Sequence, residues 1–172
     1  MPFKLLGPNG GQSEGRILLG LVLEITTDEC FSSWESGPAL LNDQEIKVSE
    51  TSSIKDSLVA TGFPYSNFER FNPFMESLKF FMRNTHGVRR LGSAAVDLVY
   101  LACGRLDAFW EYSLNSWDVA AGAFIIKQAG GRVSDFTGGE NWLFGKEIVA
   151  ANSLIFSEFQ ELVEKFMMTG EG

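Results

Sequence analysis

The spacing of apolar positions changes along this chain, and each change predicts a different element. The near-continuous apolar run ILLGLVLEI, Ile17 to Ile25, predicts a long strand, and CFSSWE, Cys30 to Glu35, predicts a second one across a TTDE turn. ALLN, a tight Asp-Gln turn and EIKVS complete an antiparallel meander. LVATGFPY, Leu58 to Tyr65, predicts a further strand that leads into a helix from Asn72 to Asn84, where Phe74, Leu78, Phe81 and Met82 recur at helical spacing. Before Ile17 there is no period. MPFKLLGPNGGQSEGR carries Gly, Pro and Asn at turn spacings, and residues 1–16 read as a flexible leader.

From Gly87 the pattern becomes an alternation. GVRRLG predicts a short strand, Ser93 stands where it can cap the helix AAVDLVYLAC, and Gly104 stops that helix. LDAFWEY, WDVAAGAFIIKQAGG, RVSDF, KEIVAAN and SEFQELVEKFMM then read as strand, helix, strand, strand and helix. Strands alternating with short helices define the fold class as α/β, or α+β overall: remnant antiparallel strands lead into an α/β layer with a mixed sheet. Residues 17–172 are expected to form a partial domain. The strand RILLGLVLEI needs neighbours or a cover on its open edge, and only the leader precedes it. The sequence reads as though earlier strands were missing or supplied by another chain.

Composition narrows the function classes. The chain has 172 residues, 45% of them apolar and 21% charged, enough for a proper core. Its formal charge of -8 argues against a nucleic-acid or anionic-membrane binder, since either needs a basic face. An acidic protein still binds phosphorylated substrates when a divalent cation supplies positive charge. Cys30 and Cys103 lack CxxC or zinc spacing and read as reduced, packed thiols of a cytoplasmic protein. Apolar runs such as ILLGLVL fall short of the roughly 20 residues a spanning helix needs.

The helix WDVAAGAFIIKQAGG opens with an acid although Val119 to Ile126 carries no charge on any face. A carboxylate at the mouth of so apolar a helix must be paired, hydrogen-bonded or metal-bound. One reading is a cap: Asn115 lies three residues before Asp118, as in a capping box, and an acid suits the positive helix end. The other makes Asp118 a ligand for a hard cation, beside first-turn amides that can face a phosphate. Elsewhere the residues have plainer readings. His86 is a turn or helix-end residue, Arg89 and Arg90 pair with nearby acids, Asp97 makes a satisfied polar contact, Asp135 forms a turn, and Trp117 packs to fix the entry of its helix.

Three runs carry a resemblance: GRLDAFWE (Gly104 to Glu111), WDVAAG (Trp117 to Gly122) and QAGG (Gln128 to Gly131) closely resemble the second signature of the inositol monophosphatase family. ALLN..EIKVS, ATGFPY, RRLGSAA and EIVAAN resemble that family in the same order, so the likeness runs from about Ile17 to Asn152. The implied fold is the C-terminal part of a layered αβαβα sugar-phosphatase. By this resemblance Asp118 binds a divalent metal, usually Mg2+. It likewise assigns Glu111 to a substrate hydroxyl, and places the backbone of Gly92, Ser93 and Ala94 at the sugar or inositol ring. It also implies a small phosphorylated substrate and a homodimer.

The family's earlier signature, Asp-Pro-Ile/Leu-Asp-Gly-Thr, and the Glu-Glu pair before it have no counterpart, for the chain contains no Asp-Gly pair. Those residues hold most of the family's metal ligands and orient its water. The expectation is therefore a C-terminal portion of a magnesium-dependent phosphomonoesterase acting on inositol phosphate, inactive or nearly so alone, with no catalytic residue assignable in this chain. Two alternatives stand beside it. One is a related phosphatase for fructose bisphosphate or a phosphoadenosine nucleotide; the other is a non-catalytic remnant that binds sugar phosphates or pairs through its open strand edge.

Overall fold

The computed structural model describes residues 2–6, 12–64 and 68–168, with side chains from Ile17 onward. Pro2–Leu6 (β1) and Gln12–Arg16 (β2) pair antiparallel as a two-stranded sheet, where the sequence pattern had no period. The meander follows as read: Leu19–Glu24 (β3), Glu29–Trp34 (β4), Leu40–Leu41 (β5) and Gln44–Glu45 (β6) form a four-stranded antiparallel sheet in chain order. Its last turn is centred one residue earlier than the sequence suggested, on Asn42 and Asp43. Both have positive φ (46° and 63°), which Asn and Asp tolerate better than other side chains. Of the expected final strand only Glu45 joins the ladder, together with Gln44 from the expected turn.

The alternating half forms a second, five-stranded sheet. Its parts are Leu58–Thr61 (β7), Phe71–Asn84 (α1), Gly87–Arg89 (β8), Ala94–Ala102 (α2) and Ala108–Tyr112 (β9), then Ser116–Gln128 (α3), Gly131–Ser134 (β10), Glu147–Asn152 (β11) and Phe156–Met167 (α4). The strand order is β10-β11-β9-β7-β8, parallel among β8, β7 and β9 and antiparallel for β11 and β10. The mixed sheet is thus as expected. β7 ends at Thr61 rather than running on through the Gly62-Phe63-Pro64 turn, and Tyr65 lies outside the described residues.

Two cores hold the layers together. Phe31 of β4, Leu98 and Leu101 of α2, Ile125 and Ile126 of α3 and Ile148 of β11 fill the space between the sheets. On the far face of the five-stranded sheet, Phe74 and Phe81 of α1 and Phe159 and Val163 of α4 pack around Trp110 of β9. The Phe81 ring lies 4.7 Å from Trp110 and 5.0 Å from Phe159, centroid to centroid. Burying each such ring contributes roughly 1.5–3 kcal/mol, so this cluster anchors β9 firmly. Every residue of β9 is buried because strands cover both its edges and helices both its faces. Met82, grouped with Phe74 and Phe81 by spacing, instead faces solvent.

The anticipated open edge is present. β3 ends the four-stranded sheet; Gly20 packs against α3, while Leu19, Leu21 and Leu23 point the other way and are 53–64% exposed. Leu18, Ile25 and Trp34 extend this apolar surface. Cys30 and Cys103 are free thiols. No helix among the described residues is long and apolar enough to cross a membrane.

Candidate active site

Three element ends meet at one cleft. The tip of β7 supplies Gly62 and Phe63, the β8–α2 corner supplies Arg90, Gly92, Ser93 and Ala94, and the β9–α3 corner supplies Glu111, Leu114, Trp117 and Asp118. They enclose a cavity of about 280 Å³. All five residues singled out from the sequence, Gly92, Ser93, Ala94, Glu111 and Asp118, line it. They are drawn from two of these three element ends, the β8–α2 and β9–α3 corners, which the fold brings together.

Local chemistry explains each corner. Gly92 has φ +99°, a left-handed conformation that side chains rarely adopt, and it turns the chain into α2. Ser93 occupies the N-cap position in an extended conformation, but its hydroxyl makes no cap hydrogen bond. The capping expected of Ser93 is therefore positional only, and the first-turn amides of α2 lie beside the cavity. Glu111 sits near the end of β9, 8% exposed.

Asp118 meets its reading as a cap and also borders the cavity. At the third helical position of α3 its Oδ2 accepts the main-chain N–H of Asn115 at 2.8 Å, completing a capping box. Its Oδ1 takes no hydrogen bond from the described residues, and the residue lines the cavity. One oxygen braces the helix and the other stays available to the cleft.

Burial and the neighbouring acids shift Glu111, and burial shifts Asp97. The Glu111 carboxyl is pushed up to about 8, first by burial and then by the charges of Asp97 and Asp118, against the pull of Arg90. Asp97, on α2 behind the cleft, is 1% exposed and is pushed up to about 7 by burial, with the Arg90 guanidinium and the Leu91 amide opposing. Among the described residues neither Asp97 oxygen has a hydrogen-bond partner at normal geometry. This corrects the satisfied contact expected from sequence: the apolar helix buries the acid, and the Leu91 amide opposes the shift without making a hydrogen bond of normal geometry.

One further reading changes, and the pairing read for Arg90 is met electrostatically. Trp117 is 77% exposed at the cleft mouth and does not pack to fix its helix; the capping box does that. Arg90, read as a partner for nearby acids, lines the cleft with its guanidinium 5.5 Å from the Phe63 ring and faces Glu111 and Asp97 electrostatically. Asp135 does form its turn, its Oδ1 accepting the N–H groups of Thr137 (3.0 Å) and Gly139 (2.7 Å) and its Oδ2 that of Asn141 (3.0 Å). Gly62, Phe63 and Leu114 were not identified as site residues from sequence. The only signal for the first two was their place inside ATGFPY.

The donor set does not amount to a complete magnesium site. Magnesium demands near-octahedral oxygen coordination, and among the described residues no three His, Cys, Asp or Glu side chains converge to hold a metal. Asp118 offers a single free carboxylate oxygen.

Comparison with known proteins places this architecture. The model of the inositol monophosphatase family matches residues 10–167, and the chain belongs to that family, whose members are phosphatases. It is 37% identical over 154 residues to Inositol-1-monophosphatase of Mesorhizobium japonicum, covering 90% of this chain and 58% of that protein. To Nus factor SuhB of Pseudomonas aeruginosa it is 39% identical over 145 residues, covering 83% of this chain and 54% of that protein. The crystal structure of extragenic suppressor protein suhB from Bartonella henselae superposes with a TM-score of 0.83 at 35% identity, covering 90% and 59% of the two chains. The chain thus spans less than two thirds of the length of each of these relatives.

Proposed function

We propose that this chain carries the substrate-facing half of a magnesium-dependent phosphomonoesterase site for inositol phosphate, and that alone it turns over little or no substrate. In this reading Glu111 binds a substrate hydroxyl, the backbone of Gly92, Ser93 and Ala94 lies against the ring, and Asp118 is one ligand of a metal site completed by residues outside this chain. The observation that carries it is the convergence of those five residues on one cavity of about 280 Å³. A neutral Glu111 carboxyl, favoured by its burial, both donates to and accepts from a hydroxyl. When bound, a divalent cation supplies the positive charge that neutralises the phosphoryl oxygens and activates water. The residues here do the binding and orienting.

Assaying the purified chain with inositol 1-phosphate, fructose bisphosphate and a phosphoadenosine nucleotide at saturating magnesium tests this directly. Turnover at least about a thousand-fold below ordinary enzyme rates of about 1–10³ s⁻¹ is expected. Turnover within that range, free of contaminating phosphatase, contradicts the reading.

A second reading has its own support in the uncovered β3 edge and its leucines. The chain self-associates through this face, as a dimer in the cytoplasm. Six apolar side chains at least half exposed, or close to it, bury on the order of 1,200 Å² between two copies, the lower end of stable interfaces. Sedimentation over a hundred-fold concentration range tests it, and a monomer throughout contradicts it.

A further inference from the structure

The tip of β7 enters the cavity, yet neither Thr61 nor Gly62 has a part in the function proposed above. Their geometry assigns one. β7 and β9 run parallel with Thr61 opposite Trp110, so Gly62 arrives beside Glu111. Thr61 is fully buried, and its hydroxyl donates to the Trp110 carbonyl at 2.7 Å, the peptide group that leads directly into Glu111. That bond ties the main chain of β9 to β7 at the last position before the acid.

Gly62 controls the side chain. A Cβ built on it would lie 2.1 Å from Glu111 Cδ, 2.1 Å from Oε1 and 2.3 Å from Oε2, far inside van der Waals contact. The carboxyl group therefore occupies the very space that a side chain at position 62 would fill. Gly62 is buried, and its φ lies outside the left-handed region, so a larger residue there meets the Glu111 carboxyl and not a torsional barrier, and the carboxyl must move aside. Among the described residues no donor makes a hydrogen bond to the Glu111 side chain. Its direction follows from the strand that carries it and the bare backbone on which it rests.

We propose that Thr61 and Gly62 act together as the positioning device for Glu111: the Thr61 hydroxyl locks the main chain before the acid, and Gly62 seats its carboxyl so that it faces the cavity. Both are positioning residues, and the inference rests on the reading of Glu111 as the hydroxyl-binding group. It has a consequence for specificity. Any side chain at position 62 swings the carboxyl off its seat, and a displacement of an ångström is enough to weaken recognition of a fixed hydroxyl substantially.

A mutant cycle in the whole chain tests this, with free myo-inositol as the probe by NMR titration and urea unfolding as a second readout. Gly62→Ala is expected to weaken myo-inositol affinity about ten-fold when Glu111 is present and less than about two-fold in a Glu111→Ala background. Thr61→Val is expected to weaken it several-fold, and Thr61→Ser, which keeps the hydroxyl, to restore it. Equal losses from Gly62→Ala in both backgrounds overturn the proposal, as does a Thr61→Ser variant no better than Thr61→Val. If Glu111→Ala leaves the affinity unchanged, or no binding is found, the hydroxyl-binding reading fails instead. The seat is then still decided by unfolding: Gly62→Ala must lower the urea midpoint clearly less in the Glu111→Ala background. Should Gly62→Ala not fold, its recovery by the added Glu111→Ala change supports the seat, and its failure to recover opposes it.

Discussion

Asp118 Oδ2 accepts the main-chain N–H of Asn115 at 2.8 Å while the rest of the Asp118 carboxyl borders the cleft shared with Glu111. A single side chain thus closes the N-terminus of α3 and borders the cleft. The two duties are separable by substitution, because an amide oxygen still accepts the Asn115 N–H but binds a divalent cation poorly. Asp118→Asn is expected to change stability by no more than about 0.5 kcal/mol, whereas Asp118→Ala, which loses the cap, costs about 1 kcal/mol. Urea unfolding of the two variants checks this, and equal losses from both mean that the cap contributes nothing.

Asp97 and Glu111 set a pH dependence of stability. Their carboxyls rise from 3.8 and 4.5 to about 7 and about 8 in the folded chain, so over that interval the folded state holds more protons than the unfolded state. Their contribution is complete below pH 4 and declines as pH rises towards 8. Asp97→Asn removes one of these titrations. It is expected to gain on the order of 2 kcal/mol over wild type near pH 8.5 and almost nothing near pH 3. Chemical unfolding at the two pH values measures the difference, and an equal effect at both contradicts the assignment to Asp97.

Asp135 acts in the opposite sense. Burial raises its carboxyl, but the donors Thr137, Gly139 and Asn141 outweigh that and hold it below the usual carboxylate range. The stability it contributes is present at neutral pH and is lost as pH falls through its lowered pKa. Asp135→Ala, which strands several donors between β10 and β11, is expected to cost about 2–3 kcal/mol at pH 7 and less near pH 3. A loss below about 0.5 kcal/mol at pH 7 contradicts this account of the turn.

The leucine face of β3 makes a prediction about association. Leu21 is 55% exposed, so Leu21→Lys is expected to leave the unfolding midpoint within about 0.5 kcal/mol of wild type while abolishing self-association. Sedimentation velocity distinguishes the outcomes. An unchanged distribution in the variant places the contact elsewhere.

Much of this was legible in the sequence because it depends on near neighbours. The strand–helix alternation after Gly87 follows from local spacing, and the capping box follows from Asn115 and Asp118 lying three residues apart. The family motifs also named Gly92, Ser93, Ala94, Glu111 and Asp118, which the fold gathers at one cleft. What was not legible depends on distant packing. Gly62 meets Glu111 only because β7 and β9 pair in parallel, a register no local pattern specifies. Asp97 looked like any polar interruption of an apolar helix, since how well a buried acid is satisfied depends on the elements packed around it. Trp117 looked like a packing residue because apolar character says nothing about what surrounds it. The β1–β2 pair arises in a stretch rich in glycine, where side-chain periodicity carries little signal.

The central claim is that the cleft contributes Asp118 as one ligand of an otherwise incomplete metal site. Titration of the isotope-labelled chain with Mn2+, followed by paramagnetic broadening in NMR spectra, tests it most directly. The account predicts broadening centred on Asp118 and spreading to Glu111 and the Gly92–Ala94 amides, only at millimolar metal, and abolished by Asp118→Asn. Tight, micromolar binding unaffected by Asp118→Asn, or broadening centred elsewhere, contradicts it.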